Sequence, residues 1–519
     1  MSKDKSEFRK EAMLSRREMI GGATQLGLLA AGSLLAANTV AKNTGGTSSS
    51  DRPFPAPSSP TGLPARREFM IRGGALVTMD GNLGTLSAGD VHVRDGTIIA
   101  VDQDLSAVAV PTIDARGMIV MPGFVETHWH LWNAIYRNLV TVQGRYLAIK
   151  HELAPHHTAV DFGRAVRLAM LEALDAGITT VHDFAHNIVG PDYADAEIEA
   201  LVASGLRGRF SYGWPTALSN DQVMPLEDIE RVQRDWMRQP DRIDGRLSMG
   251  FVARGPQYTE PAVYRAEFER ARELDLPITI HAGPFARSVS AVRLRDEGFL
   301  DETTILVQFQ RATAADLDAM LETGAWNSIG ALLPHLRGPI ESDITNLVRM
   351  VNVGVNTCLS IDATPTSTVN MFEVMRSLWH LGVPGGASGH APVGANVGAH
   401  GANVHPASSE SLVPITLQQC LEMATIGGAR ALGLGAATGS LTPGKRADVI
   451  LVRATDLNMV PAADPHAALV CSGSVANVDT VIADGRVLKH GGRIIGADVE
   501  TVKREAAESL AAILRRSGS

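Results

Sequence analysis

A chain of 519 residues, 45% hydrophobic and 20% charged, carries enough apolar material for a large core, which excludes disorder as its main state. A mean hydropathy of only +0.03 excludes a polytopic membrane protein, and a formal net charge of −9 leaves no electrostatic footprint for nucleic acid. Three cysteines, Cys358, Cys420 and Cys471, are too few and too scattered for a disulfide framework or a cysteine zinc site.

The chain opens with an address. Arg16-Arg17 precedes an uncharged, moderately apolar run from Met19 to Ala41, and Thr39-Val40-Ala41 offers a small-x-small cleavage site. These parts, in this order, resemble a twin-arginine signal, which a receptor of the export machinery reads and which carries folded proteins. Residues 1–41 are therefore expected to be removed, leaving a periplasmic or secreted protein with no stable membrane insertion. They hold six basic and four acidic residues, so their loss takes the net charge from −9 to −11. Residues 42–67, rich in Ser, Pro, Gly and Thr, are expected to form a disordered linker.

Residues 68–122 read as short β segments separated by Gly and Asp turns, and residues 445–496 read the same way. The two blocks are expected to join as one small β-sandwich domain built from both ends, followed by a C-terminal helix over 497–519. Between them, residues 123–444 alternate apolar strands with helical stretches. Strands are expected to end near Phe124, Val181, Tyr212, Val252, Ile280, Val307, Ile329 and Ser360. Eight such units make an α/β chain with a (β/α)8 TIM-like barrel, in which chemistry sits just after each strand. The glycine-rich segment Gly382–Pro406, with His390, His400 and His405, reads as a loop over the site.

The first barrel strand carries the most informative residues, Glu126-Thr127-His128-Trp129-His130. At strand spacing His128 and His130 share a face, where two imidazoles can grip one divalent ion. His281 follows strand five and Asp362 follows strand eight. Three histidines and one carboxylate suit zinc, with iron and manganese as alternatives. Each residue alone has a plainer reading, His281 as a core histidine and Asp362 as a helix N-cap.

At this point the chain resembles the amidohydrolase superfamily, in the branch of cytosine, S-adenosylhomocysteine and triazine deaminases and chlorohydrolases. The resemblance rests on Pro122 to His130, Ala176-Gly177-Ile178-Thr179-Thr180-Val181, Met371 to Arg376, Ala424 to Gly433, and Gly439 to Asp448. It implies one metal ion held by His128, His130, His281 and Asp362, a small-molecule substrate, and a homo-oligomer. Two positions depart from the branch. Its deaminases carry Glu three residues after the strand-five histidine, where this chain has Pro284, and a histidine after strand six, where it has Gln308. Gln orients water or a carbonyl oxygen but does not titrate.

The expected function is metal-dependent hydrolysis of a carbon–nitrogen bond, other than a peptide bond, in a small molecule, cyclic ones included. Asp362 serves as ligand and base and Gln308 orients the water. Trp132, His186, Arg254 and Gln308 are candidate substrate contacts, with Arg254 equally readable as a structural ion pair and His182 as core. Three other readings stay open: a ring deaminase or chlorohydrolase in which another residue replaces the absent Glu, a metal-dependent lyase, decarboxylase or isomerase, and a relative that binds a small ligand without turnover.

Overall fold

The computed structural model describes residues 63–106, 108–142, 145–283, 289–330, 340–381 and 412–519, with side chains of the 340–381 stretch from 345 onward. Pro284 and the segment with His390, His400 and His405 lie outside the described residues, as does the N-terminal address.

Eight parallel strands form the central sheet, in the order of the chain: β6 (Phe124–Trp129), β7 (Ile178–Ala185), β8 (Arg207–Tyr212), β9 (Leu247–Ala253), β10 (Ile278–His281), β11 (Ile305–Val307), β12 (Trp326–Gly330) and β13 (Asn356–Ser360). A parallel bridge between Trp129 and Asp362 brings the two edges together. Two backbone hydrogen bonds make it: His130 N–H donates to Asp362 O at 2.9 Å, and Asp362 N–H donates to His128 O at 3.0 Å. The helices between strands are written locally. Thr158 and Asp161 cap helix Ala159–Asp175 reciprocally, and Thr313 and Asp316 do the same for helix Ala314–Thr323. Phe162, Val166, Ala169, Met170 and Ala173 recur at three- and four-residue spacing and are buried against the sheet.

The flanking blocks join in one nine-stranded mixed sheet. From the first block come β1 (Phe69–Val77), β2 (Thr85–Arg94), β3 (Thr97–Asp102), β4 (Thr112–Asp114) and β5 (Met118–Pro122). From the second come β14 (Val449–Arg453), β15 (Val478–Ala483), β16 (Arg486–His490) and β17 (Arg493–Ile494). The seam is the antiparallel pairing of β5 with β14. Alternation along these strands gives the sheet two apolar faces. Val120, Val449 and Leu451 pack into the sheet's own core, whereas Ile119, Met121, Ile450 and Val452 join the core shared with the barrel.

Three expectations need adjustment. The first two barrel strands run on past Phe124 and Val181, to Trp129 and Ala185, because the polar residues there pair within the sheet instead of ending it. The linker is shorter than 42–67: Leu63 is buried and Arg66 Nε donates to Asp484 Oδ2 at 2.7 Å, so the chain is already anchored before the first strand. The C-terminal helix runs Val499–Ser517 and lays Ile513 into the shared core.

One passage steers the chain from sheet to barrel. Between β5 and β6 stands Gly123, where a Cβ would come within 2.2 Å of the Thr179 side chain, so no larger residue fits there without moving β7. A buried ion cluster ties the two parts together on the same side. Arg207 Nε donates to Asp448 Oδ2 at 2.9 Å, and its Nη2 donates to Asp484 Oδ1 at 3.0 Å. Arg207→Ala leaves both buried carboxylates short of a partner and is expected to cost about 3–5 kcal/mol. Arg116→Ala, which breaks an exposed, solvent-screened pair with Asp114, should leave the urea midpoint essentially unchanged. Urea unfolding of both variants beside the parent checks the contrast.

Candidate active site

The bridge that closes the barrel also assembles the site. His128 and His130 alternate along β6 onto one face, and Asp362 stands just past β13, on the other side of the closure. Asp362 Oδ1 lies 3.1 Å from His128 Nε2 and 3.2 Å from His130 Nε2. His281, the last residue of β10, completes the group: one ring nitrogen from each of the three histidines lies within 4.8 Å of the others. Gln308 Nε2 donates to the second Asp362 oxygen at 2.8 Å. The four expected ligands and Gln308 are thus brought together.

Two backbone outliers hold this arrangement. Gln308 has φ 59° and Asp362 φ 74°, both in the left-handed region, at a cost of order 1–2 kcal/mol per residue. Gln308 directly follows β11 and Asp362 stands two residues past β13, and their side chains meet. Glu126 fixes the same corner from below, accepting from His128 N–H at 2.7 Å and from Ile361 N–H at 2.8 Å. Burial pushes the Glu126 carboxyl well above the usual range.

The imidazoles pack against an aromatic ring. Phe184 lies edge-on to His128 and to His130. Burial holds His130 down at about 4, with the His128 ring adding to the effect against the pull of Asp362, and burial likewise holds His281 well below the usual histidine range. These rings are neutral at pH 7, the form in which imidazole donates a lone pair to a metal. The buried Nδ1 atoms of His128 and His130 meet no hydrogen-bond partner among the described residues. The donor set, three imidazoles and a carboxylate converging on one point, fits a divalent cation.

The remaining candidates divide sharply. His186 belongs to the site: its ring stands 4.7 Å from that of His130. Trp132 is fully buried, stacked on Phe162 at 5.4 Å, and its Nε1–H donates to His186 Nδ1 at 3.2 Å. Expected as a candidate substrate contact, it is instead placed behind His186, which it positions. Arg254 is not available to a substrate. It is buried in an ion pair with Glu267, and its Nη1 donates to Ser219 O at 2.9 Å; the plainer reading of this residue holds, because a buried guanidinium needs its own counter-charge. His182 is a core residue, with Nδ1 2.7 Å from Thr127 O and Nε2 2.7 Å from Ser211 Oγ.

Sequence reasoning missed two residues. Tyr146 and Lys150 lie four apart on helix Tyr146–Leu153 and so share a face. Tyr146 Oη accepts from Asn133 Nδ2 at 2.8 Å. Lys150 Nζ lies 3.5 Å from His186 Nε2, and Asp362 acts electrostatically on both Tyr146 and Lys150. Burial pushes the Lys150 ammonium down to about 8, against the attraction of Asp362. The only sequence signal was a tyrosine and a lysine at helical spacing shortly after the first strand, which a solvated helix face shows as often.

Residues 119–488 match the model of the Amidohydrolase family. Over 460 residues the chain is 29% identical to a 5-methylthioadenosine/S-adenosylhomocysteine deaminase of Desulforudis audaxviator, covering 84% of this chain and 97% of that one. It is 25% identical over 467 residues to a 5'-deoxyadenosine deaminase of Methanosarcina acetivorans, covering 87% and 100%. Among solved structures, a zinc-bound adenosine deaminase of Xanthomonas campestris superposes with a TM-score of 0.71 at 21% identity, covering 87% and 100%. A zinc complex of the atrazine chlorohydrolase of Arthrobacter aurescens superposes with a TM-score of 0.69 at 22% identity, covering 86% and 100%. These likenesses carry the fold.

The depressed histidines make stability depend on pH. Below the unfolded value of about 6.5 the unfolded chain binds protons that His130, His186 and His281 refuse in the fold. Stability is therefore full above about pH 6.5 and falls as the pH drops toward 4. Chelator-treated protein should lose urea resistance steadily from pH 7 to pH 5, and His186→Phe should flatten that slope.

Proposed function

The chain belongs to the amidohydrolase family, and from that premise we propose that it is a hydrolase with one divalent metal ion, zinc, held by His128, His130, His281 and Asp362. Its reaction is the hydrolysis of a carbon–nitrogen bond in a small molecule whose leaving nitrogen is attached to a ring. The observation that carries this reading is the convergence of the three histidine nitrogens within 4.8 Å of one another, with Asp362 Oδ1 3.1 and 3.2 Å from two of them. The ring substrate is supported by the relatives, which are deaminases of adenosine derivatives.

A bound divalent ion supplies a water that ionises near pH 7 instead of about 15.7, together with positive charge for the attacked centre. The chain's own groups do the rest. Asp362 takes a proton from the water and passes it to the departing nitrogen. Gln308, which cannot titrate, holds the Asp362 carboxylate in its orientation through the 2.8 Å hydrogen bond. Phe184 packs against the ligand imidazoles, Trp132 holds His186 from behind, and His186 stands beside His130.

Protein purified without chelator should contain about one equivalent of zinc, and His130→Ala should contain less than about a tenth. Adenosine, 5'-deoxyadenosine, cytosine, guanine and atrazine form the first panel, with ammonia and chloride both measured. Ammonia release from a purine or pyrimidine supports the proposal, chloride release from atrazine moves the protein to the chlorohydrolases, and turnover without ¹⁸O from water in the product sinks hydrolysis altogether. Asp362→Asn should keep the fold and lose nearly all turnover. Gln308→Ala should lower kcat roughly 10²-fold with the fold unchanged.

Export remains part of the proposal. The support is the order Arg16-Arg17, uncharged run, small-x-small site. A double Arg16→Lys, Arg17→Lys variant should accumulate in the cytoplasm while the parent is recovered from the periplasm; equal fractionation of the two would remove this reading.

A further inference from the structure

Among the described residues five arginines are buried: Arg207, Arg209, Arg246, Arg254 and Arg486. Four of them meet a carboxylate. Arg207 pairs with Asp448 and Asp484, Arg246 and Arg486 pair with Asp244, and Arg254 pairs with Glu267. Arg209 is only 3% exposed, yet no carboxylate among the described residues acts on it. Its Nη2 donates to the Leu432 carbonyl at 2.5 Å, while Nε and Nη1 are buried without a hydrogen-bond partner. Burial alone shifts this guanidinium, down to about 10, so it is a cation at pH 7. At Arg207, two residues earlier on β8, burial also opposes the charge, but Asp448 and Asp484 outweigh it.

The surroundings of Arg209 supply donors and no negative charge. Leu432 follows helix Gly428–Ala431 and packs with Val125, Ile305 and Cys358 of β6, β11 and β13, so carbonyl and guanidinium meet inside the barrel. On the neighbouring strand Gly250 makes room for the side chain, since a Cβ there would stand 3.1 Å from Arg209 Cδ and 2.4 Å from Ser211 Oγ. On β7 the register partner of Arg209 is His182. Both its nitrogens are occupied, Nδ1 at 2.7 Å from Thr127 O and Nε2 at 2.7 Å from Ser211 Oγ. Thr180, two residues before His182, lies on the same face and diagonally across from Arg209. Its buried hydroxyl has no hydrogen-bond partner among the described residues.

A buried charge without a counter-charge is strongly destabilising. Water would satisfy the N–H groups but would bring no charge. We propose that Arg209 and Thr180 hold a small inorganic anion, chloride, inside the barrel. Chloride accepts from N–H and O–H donors alike and, being spherical, demands no fixed geometry of them. The enclosure selects for size: Arg209 is 3% and Thr180 0% exposed, so a phosphate or an organic acid has no way in once the barrel has closed. The ion is taken up on folding and neutralises the guanidinium. Its role is structural and independent of the reaction at the metal ligands.

Two measurements test it, and neither needs a substrate. The zinc-loaded protein is crystallised with sodium bromide in place of sodium chloride, and an anomalous map is taken at the bromine edge. A peak within about 3.5 Å of Arg209 Nε or Nη1 supports the proposal; no peak there, whether or not water is found instead, overturns it. The second measurement is Tm in mixtures of sodium chloride and sodium gluconate at constant ionic strength. Raising chloride about a hundredfold should raise the Tm of the parent by about 2–4 °C. Arg209→Met, which removes the charge and keeps most of the volume, should show no rise, whereas Arg116→Met at an exposed position should rise like the parent. A parent without the rise, or an Arg209→Met variant that keeps it, overturns the proposal. If Arg209→Met does not fold, the bromide map decides.

Discussion

The structure depends on how its barrel closes. Parallel strands have no hairpin to join their edges, and here β13 meets β6 through one bridge, Trp129 to Asp362. The backbone groups that make it belong to His128, His130 and Asp362. Closure and assembly of the site are therefore one event. A barrel that failed to close would scatter its ligands, and a shift of one residue in this register would turn His128 and His130 to the opposite face. Glu126 reinforces the junction by receiving N–H groups from both strands.

Around that junction the fold accepts costs that a purely structural barrel would avoid. Gln308 and Asp362 stand in left-handed backbone conformations. Several imidazoles are buried where protonation is unfavourable. Both costs leave polar groups pointed at one place, with rings that remain neutral and lone pairs that remain available. Strain and desolvation are concentrated at the strand ends, whereas the opposite side of the barrel is conventional: Arg207 is matched by Asp448 and Asp484, and Gly123 lets sheet and barrel approach closely.

Buried polar residues near the site differ in whether their hydrogen-bonding capacity is already used. Arg254 and His182 are consumed by partners within the fold. Trp132 is consumed in orienting His186. Lys150 Nζ lies 3.5 Å from His186 Nε2 and belongs to a helix outside the β-strand framework. This difference separates groups that support the site from groups able to act in it, and residue type alone does not reveal it.

Much of this was legible beforehand. Alternation of apolar strands and helices gave the eight strands to within a few residues, because hydrophobic periodicity reflects burial directly. The spacing of His128 and His130 put two imidazoles on one face, and motifs at several points marked His281, Gln308 and Asp362. What the linear chain could not decide was partnership. Whether Arg254 is free or paired depends on Glu267, thirteen residues on; whether His186 is held depends on Trp132, fifty-four residues back. Lys150 looks like any surface lysine until the first helix is folded over the barrel mouth. Local pattern determined the elements, since burial periodicity and capping act over a few residues. The tertiary structure decided which polar groups are left to do chemistry, since hydrogen bonds and ion pairs are satisfied by residues distant in sequence.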